Sequence, residues 1–189
     1  MQAHIKIIAS LILALFTTAC IGNSGFTHVR TESYAAYTRG DSLLAANGAP
    51  IKVVVLTEKD KQNIGNSIAS SLEQYGPKWF AARYSADSTI KNNHGYELRW
   101  AYNTPENGNE DRLCNADYAN SITTSEQTTG VVLAAFCRDS TFLSSIRARI
   151  LEGQDSDSFR KTIGLMGRKL MPVRNPDRVE NCRNLEDCL

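Results

Sequence analysis

Histidine is scarce in this chain: there are three in 189 residues, and only His28 and His94 lie beyond residue 4. Neither sign of charge dominates. With 21 basic and 20 acidic side chains the formal net charge is +1, so the basic surplus expected of a nucleic-acid binder is missing. Twelve Gly and five Pro are too few for a collagen-like chain and do not suit a wholly disordered one. The mostly apolar run Ile7–Phe16 stops well short of the roughly 20 residues a membrane-spanning helix needs. There is no C-x-x-C pair for redox exchange, no phosphate-cradling glycine loop, no zincin helix, no pair of catalytic carboxylates and no internal repeat. What remains is the composition of a soluble globular domain with extensions: 42% hydrophobic, 22% charged and 8% aromatic.

Lys6 precedes the apolar run, and Thr17-Thr18-Ala19-Cys20 follows it. A positive start, a short apolar centre and small residues before one fixed point make a secretory signal. The stretch resembles the lipobox of bacterial lipoproteins, in which signal peptidase II cuts before a diacylated cysteine. Ala19 and Cys20 match that pattern and Thr18 is common at its place, whereas Thr17 replaces the usual leucine. The resemblance implies that residues 1–19 are removed and that Cys20 carries a thioether-linked diacylglycerol and an N-acyl chain. At about 0.8 kcal/mol per buried CH₂, three chains hold a protein durably on a membrane. Ile21 rather than Asp after the cysteine implies transport to the outer membrane, with the chain lipid-anchored there and facing the periplasm. The competing reading is an ordinary signal cut after Ala19, with Cys20 a spare thiol.

Removing residues 1–19 takes away one Lys and no acid, leaving 20 basic against 20 acidic side chains. With Cys20 acylated, four cysteines remain: Cys114, Cys137, Cys182 and Cys188. An even number in an oxidising compartment reads as disulfides, with three possible connectivities. Their segmental placement favours Cys114–Cys137 within the body and Cys182–Cys188 within the tail. Chain-entropy closure contributes about 3.4 kcal/mol for the first and about 2.4 kcal/mol for the second. Zinc would want a C-x₂₋₄-C pair and histidine partners, and the spacings here are too wide. No metal, cofactor or catalytic residue is singled out.

Hydrophobic periodicity then divides the chain. Residues 20–36 read as the lipidated cysteine and a flexible tether, leading into an edge strand around Ser33–Thr38. Ile51–Leu56 is a β-branched strand after Pro50. Ile64, Ile68, Leu72 and Tyr75 recur at helical spacing, and Gly76-Pro77 stops that helix. Residues 79–84 suit a second strand. Tyr96, Leu98, Trp100 and Tyr102 alternate with polar neighbours as a half-buried strand with an aromatic face. Val131–Cys137 is apolar on both faces and so central. Residues 142–151 suit strand or helix, with strand favoured by Ile146, Ala148 and Ile150 alternating with Arg147 and Arg149. Asp155-Ser156-Asp157 caps a helix carrying Phe159, Ile163, Met166 and Leu170. The expected domain spans 37–171, followed by a disulfide-stapled tail over 172–189. The order suits an α+β, two-layer sandwich: a mainly antiparallel sheet with two helices on one face.

Several short motifs invite a chemical reading and fail it. Gly40-Asp41-Ser42-Leu43 spells the nucleophile block of GDSL esterases, but no histidine beyond His94 could serve as its base. It reads instead as a turn into a strand. Arg39-Gly40-Asp41 matches the integrin tripeptide, a match too short to carry weight. Asp155 and Asp157 do not make a calcium loop, which needs six or more oxygen ligands. His94 lies in a polar turn without a partner at ligand spacing.

The polar stretch 103–129 is the most informative segment, because long connections in compact domains are often functional. Cys114 would tie it to the central strand. A candidate recognition surface lies where this loop, with Glu110 and Asp111, meets the aromatic face of Trp100 and Tyr102. The competing and favoured reading is an inert loop with those aromatics buried under the helices. The lipobox, Gly48–Leu56, Val131–Arg138 and Asn175-Pro-Asp-Arg178 together resemble a loosely defined family of small proteobacterial, Gram-negative lipoproteins. More distantly, the element order is similar to that of lipoprotein activators of penicillin-binding proteins and other envelope adaptors. None of those motifs names a chemistry, and the second likeness is one of architecture only. The anchor and tether lead to the reading of an interaction or adaptor module of the envelope, held to the membrane by its lipid and meeting an envelope protein partner. The balanced charge leaves no role for nucleic acid. The alternatives are an envelope hydrolase and a binder of a small hydrophobic ligand.

Overall fold

The computed structural model describes residues 28–57, 61–126 and 128–179. Residues 1–19, expected as a signal segment, and Cys20, Cys182 and Cys188 lie outside the described residues. The described chain runs β1 (His28–Ser33), α1 (Arg39–Ala45), β2 (Ile51–Val55), α2 (Lys61–Tyr75), β3 (Tyr84–Ser85) and β4 (Tyr96–Tyr102). It continues through α3 (Ala116–Ser121), β5 (Val131–Arg138), β6 (Thr141–Arg149), α4 (Asp157–Leu170) and α5 (Pro176–Val179). The fold is α+β, with one six-stranded sheet in the order β1-β6-β5-β4-β2-β3. Strands β1, β6, β5 and β4 are antiparallel neighbours, while β2 runs parallel to both β4 and β3.

The period-2 pattern of each strand sends alternate side chains to opposite faces. Ile51, Val53 and Val55, with Leu98, Trp100, Ala134, Phe136 and Ile146, point to one face and form the main core with α2 and α4. Strand β5 is buried over Val131–Cys137, as its unbroken apolar run requires. Helix α2 presents Ile64, Ile68 and Leu72 to this core, and α4 presents Phe159, Ile163, Met166 and Leu170. The Ser156 hydroxyl accepts the Phe159 N–H at 3.0 Å and caps α4. The two helices touch because glycine stands at their crossing. A Cβ on Gly164 would lie 2.2 Å from the Tyr75 Cβ, and one on Gly167 would lie 2.3 Å from a Leu72 methyl.

Four local expectations are corrected. The edge strand occupies His28–Ser33 rather than Ser33–Thr38, so residues 28–36, expected as tether, belong to the sheet and the turn after it. An edge strand made of His-Val-Arg-Thr-Glu-Ser has almost no apolar alternation to reveal it. Gly40–Leu43 is helical, not a turn into a strand, because α1 buries Asp41, Ser42 and Ala45 against the body. The strand expected over 79–84 shrinks to Tyr84–Ser85. The Trp79 and Phe80 rings lie 4.4 Å apart, and Trp79 Nε1 donates to the Met171 carbonyl at 2.9 Å, which holds this segment off the ladder. Finally, 103–129 is not structureless: it contains a 3-10 turn at Glu110–Arg112 and the helix α3.

Candidate functional site

The segment 103–122 lies as a flap over the sheet face turned away from the long helices. Leu113 and Cys114 pack there against Ala101, Val131, Leu133, Ala135 and Cys137. Cys114 and Cys137 form the expected disulfide, with a Cα separation of 5.6 Å. Arginines standing on the strands hold the rest of the flap. Arg99 Nη1 donates to the carbonyls of Leu113 and Cys114 at 3.0 and 3.1 Å, and its Nε pairs with Glu97. Arg147 meets the Glu110 carboxylate at 2.7 Å and also donates to the Glu106 and Gly108 carbonyls. Arg149 pairs with Glu106, and the Ser145 hydroxyl donates to Asp111. The Arg99–Glu97 and Arg147–Glu110 pairs are largely shielded from water, which strengthens their charge-assisted bonds, whereas Glu106 and Asp111 are exposed.

This geometry separates the four residues of the candidate recognition surface. Trp100 has no exposed area and belongs to the core under the helices. Tyr102 is half-buried on that same face, edge-on to Phe159 at 6.1 Å between ring centroids. Glu110 and Asp111 lie on the opposite face, engaged with Arg147 and Ser145. The sheet stands between the two pairs. The reason is the strand period: Trp100 and Tyr102 share one face, and the disulfide draws the flap to the face of Cys137.

The other singled-out residues have structural placements. Ser42 is fully buried, 2.9 Å from the Tyr37 hydroxyl, which donates to the Pro172 carbonyl at 2.6 Å. Burial pushes the Tyr37 phenol up to about 12. Asp41 accepts the Thr38 N–H and hydroxyl at 2.8 and 2.7 Å and the Tyr96 hydroxyl at 2.8 Å, with Arg138 3.5 Å away. Burial and that bond to Asp41 raise the Tyr96 phenol above its ordinary value. Asp157 is held below the usual carboxylate range by a hydrogen bond from Lys161. His94 sits in a left-handed turn at φ 49°. Among the described residues no three metal-ligating side chains gather, and no helix is long and apolar enough to cross a membrane. A hollow of about 460 Å³ along α4, lined by Asp157, Lys161, Leu165 and Arg168, is shallow and open.

Large apolar side chains are exposed in three places among the described residues, one of them Leu151, just past β6, at 57% exposure. Helix α1 buries one side and leaves Leu43 at 48% and Leu44 at 47% exposure. Val173, just past the end of α4, is 46% exposed. Trp79 is half-buried, with the Arg39 guanidinium 5.3 Å from its ring centroid. Asn175 fastens the C-terminal segment by donating to the Tyr34 and Tyr37 carbonyls at 3.2 and 3.0 Å. Sequence alone does not show these exposed leucines, because Arg39-Gly-Asp-Ser at the start of α1 reads as a turn. The adjacent Leu43-Leu44 pair, with one leucine too many for a core stripe of a seven-residue helix, was the available signal.

No protein-family model matches the chain, and no curated protein matches it. Among solved structures it is similar to a Leu-to-Met variant of the PelC dodecamer from Paraburkholderia phytofirmans. That match has 16% identity and a TM-score of 0.40, and covers 80% of this chain and 99% of that one. A PelC dodecamer from the same organism in a second crystal form is similar at 14% identity and a TM-score of 0.38, over 79% of this chain and 99% of that one. Similarity this low carries no argument about function.

Proposed function

We propose that the protein is a lipid-anchored interaction module of the outer membrane, facing the periplasm and acting on a protein partner through its outer surface. The observation that carries this reading is the sealing of the sheet on both faces, by α2 and α4 on one and by the latched flap on the other. Chemistry of recognition is thereby left to side chains on the outside. Only residues 21–27 separate Cys20 from β1, and they span at most about 29 Å when fully extended. A lipid on Cys20 would therefore keep the folded body close to the membrane and raise its effective concentration for partners there.

The test feeds cells a clickable palmitate analogue, fractionates the envelope and crosslinks the full-length protein in place. Label and outer-membrane fractionation, both lost in Cys20→Ala together with one stoichiometric crosslinked protein, are expected. An unlabelled chain that fractionates identically with and without Cys20 would overturn the anchor, and a labelled chain with no crosslinked protein would overturn the module.

A further inference from the structure

An asparagine followed by glycine lets a backbone nitrogen reach a side-chain carbonyl, because glycine brings no Cβ to block the approach. The sequence holds two such steps: Asn47-Gly48, between α1 and β2, and Asn107-Gly108, in the flap. Both asparagines are exposed. The difference lies in the glycine nitrogen. Gly108 donates its N–H to the Pro105 carbonyl at 3.0 Å, and its own carbonyl accepts from Arg147. A Cβ on Gly108 would stand 2.8 Å from a Leu133 methyl, so this stretch of backbone is pressed against the sheet. At the other step the end of α1 is satisfied without Gly48. Ala46 donates to the Ser42 carbonyl and Asn47 to the Leu44 carbonyl, each at 3.2 Å. Among the described residues no acceptor takes the Gly48 N–H. Gly48 stands at φ 79°, with nothing within 4 Å of the place a Cβ would occupy.

We propose that Asn47 is a site of spontaneous deamidation and that the fastened flap spares Asn107. The Gly48 nitrogen gives its proton to hydroxide and attacks Cγ of Asn47. The new N–Cγ bond closes a succinimide ring as the Cγ–Nδ2 bond breaks, and Nδ2 takes a proton from water and leaves as ammonia. One water then opens the ring. Cleavage at Cγ gives aspartate, and cleavage at the α-carbonyl gives isoaspartate, whose main chain runs through Cβ and Cγ. Either product carries one more negative charge, and the second also lengthens the link between α1 and β2. That link is a tied point: Asn93 Nδ2 donates to the Leu44 carbonyl at 2.9 Å and to the Asn47 carbonyl at 2.5 Å. In isoaspartate the second of those carbonyls becomes a free carboxylate, so Asn93 no longer fixes the path of the main chain there. At Asn107 the same attack first requires Gly108 to release Pro105 and Arg147, which is a local opening of the flap. None of this depends on the lipid or on a partner.

The test holds the full-length chain in mildly alkaline buffer, digests it at intervals and maps the peptides by mass spectrometry with electron-transfer fragmentation, which separates isoaspartate from aspartate. Asn47 should gain the mass of OH in place of NH₂, take up one heavy oxygen in heavy-oxygen water, and convert faster as hydroxide rises. It should convert at least about tenfold faster than Asn107, the factor that an opening free energy of about 1.4 kcal/mol imposes. In urea, with both steps unfolded, the two rates should converge. Arg147→Ala, which frees the Gly108 carbonyl, should speed Asn107 and leave Asn47 unchanged. Anion exchange should resolve an early, more acidic form of the chain that is missing in Asn47→Gln. Amide exchange over α1 should quicken in the isoaspartate form and not in Asn47→Asp, which adds the charge without lengthening the main chain. Equal rates at the two steps in the folded chain, faster conversion at Asn107, or an Asn47 that stays intact while the chain in urea converts would overturn the proposal. A rate at Asn107 that Arg147→Ala leaves unchanged would overturn the part assigned to the flap.

Discussion

The two faces of the sheet are sealed by different physics. On one face α2 and α4 deliver side chains at helical spacing onto alternating strand residues, and burial of apolar area does the work. On the other face a polar segment with almost no periodicity is held by one disulfide and by Arg99, Arg147 and Arg149. The first kind of cover is distributed over many contacts. The second is concentrated in a few covalent and charge-assisted bonds, so it should fail locally and in steps, whereas the helical face should fail all at once. A cover made of specific bonds also answers to conditions that leave an apolar core untouched.

The sharpest break of this contrast is Phe159→Ala. Phe159, on the inner side of α4, is fully buried, and its loss should cost about 3–5 kcal/mol, read as a lower urea midpoint with one cooperative transition. Next comes the paired change Cys114→Ala, Cys137→Ala. Global stability should drop by about 3 kcal/mol, and amides of residues 106–121 should exchange much faster while those of α2 keep their protection order. Uniform loss of protection over both faces would show that the flap is not a separate unit. Arg147→Ala removes the ion pair to Glu110 and two carbonyl contacts, for an expected loss of about 1–3 kcal/mol with the exchange change again confined to the flap.

Alkali should weaken the helical side by less. Burial pushes the folded Tyr37 phenol up to about 12 from its ordinary 10.0, so its contribution is complete below pH 10.0 and declines as pH rises through the folded value. Tyr34 and Tyr84 are raised by burial in the same direction. Chemical denaturation at about pH 8 and about pH 11 should differ by on the order of 1 kcal/mol for Tyr37, and Tyr37→Phe should narrow that difference. Smallest of all, Lys161→Ala breaks an exposed pair with Asp157 on the surface of α4, and the melting temperature should barely move.

Much of the helical face was legible beforehand. Ile64, Ile68 and Leu72, then Phe159, Ile163, Met166 and Leu170, announce their helices by spacing alone, and Ile51–Val55 and Val131–Cys137 announce buried strands by β-branched or unbroken apolar runs. Edge elements were not legible, because β1 and β3 need few apolar side chains and carry almost no pattern. Helix α1 was hidden by its turn-forming start, Arg39-Gly-Asp-Ser, whose acid becomes a buried partner of Tyr96 only once the strands are assembled. The exposed pair Leu43-Leu44 was hidden for the same reason: it is left at the surface only once α1 buries Asp41, Ser42 and Ala45 against the body.

By itself the sequence determined the fold class, the long helices and the central strand, and it favoured, among three connectivities, the pairing of Cys114 with Cys137 that the structure shows. Local periodicity and cysteine placement carry that information without reference to the rest of the chain. Only the tertiary structure decided that Trp100 and Tyr102 face away from Glu110 and Asp111. It also decided that a polar loop closes the second face, and that Leu43 and Leu44 stay exposed on α1. Those outcomes depend on which strand face each residue occupies and on which distant charges meet. Such facts are set when the sheet assembles.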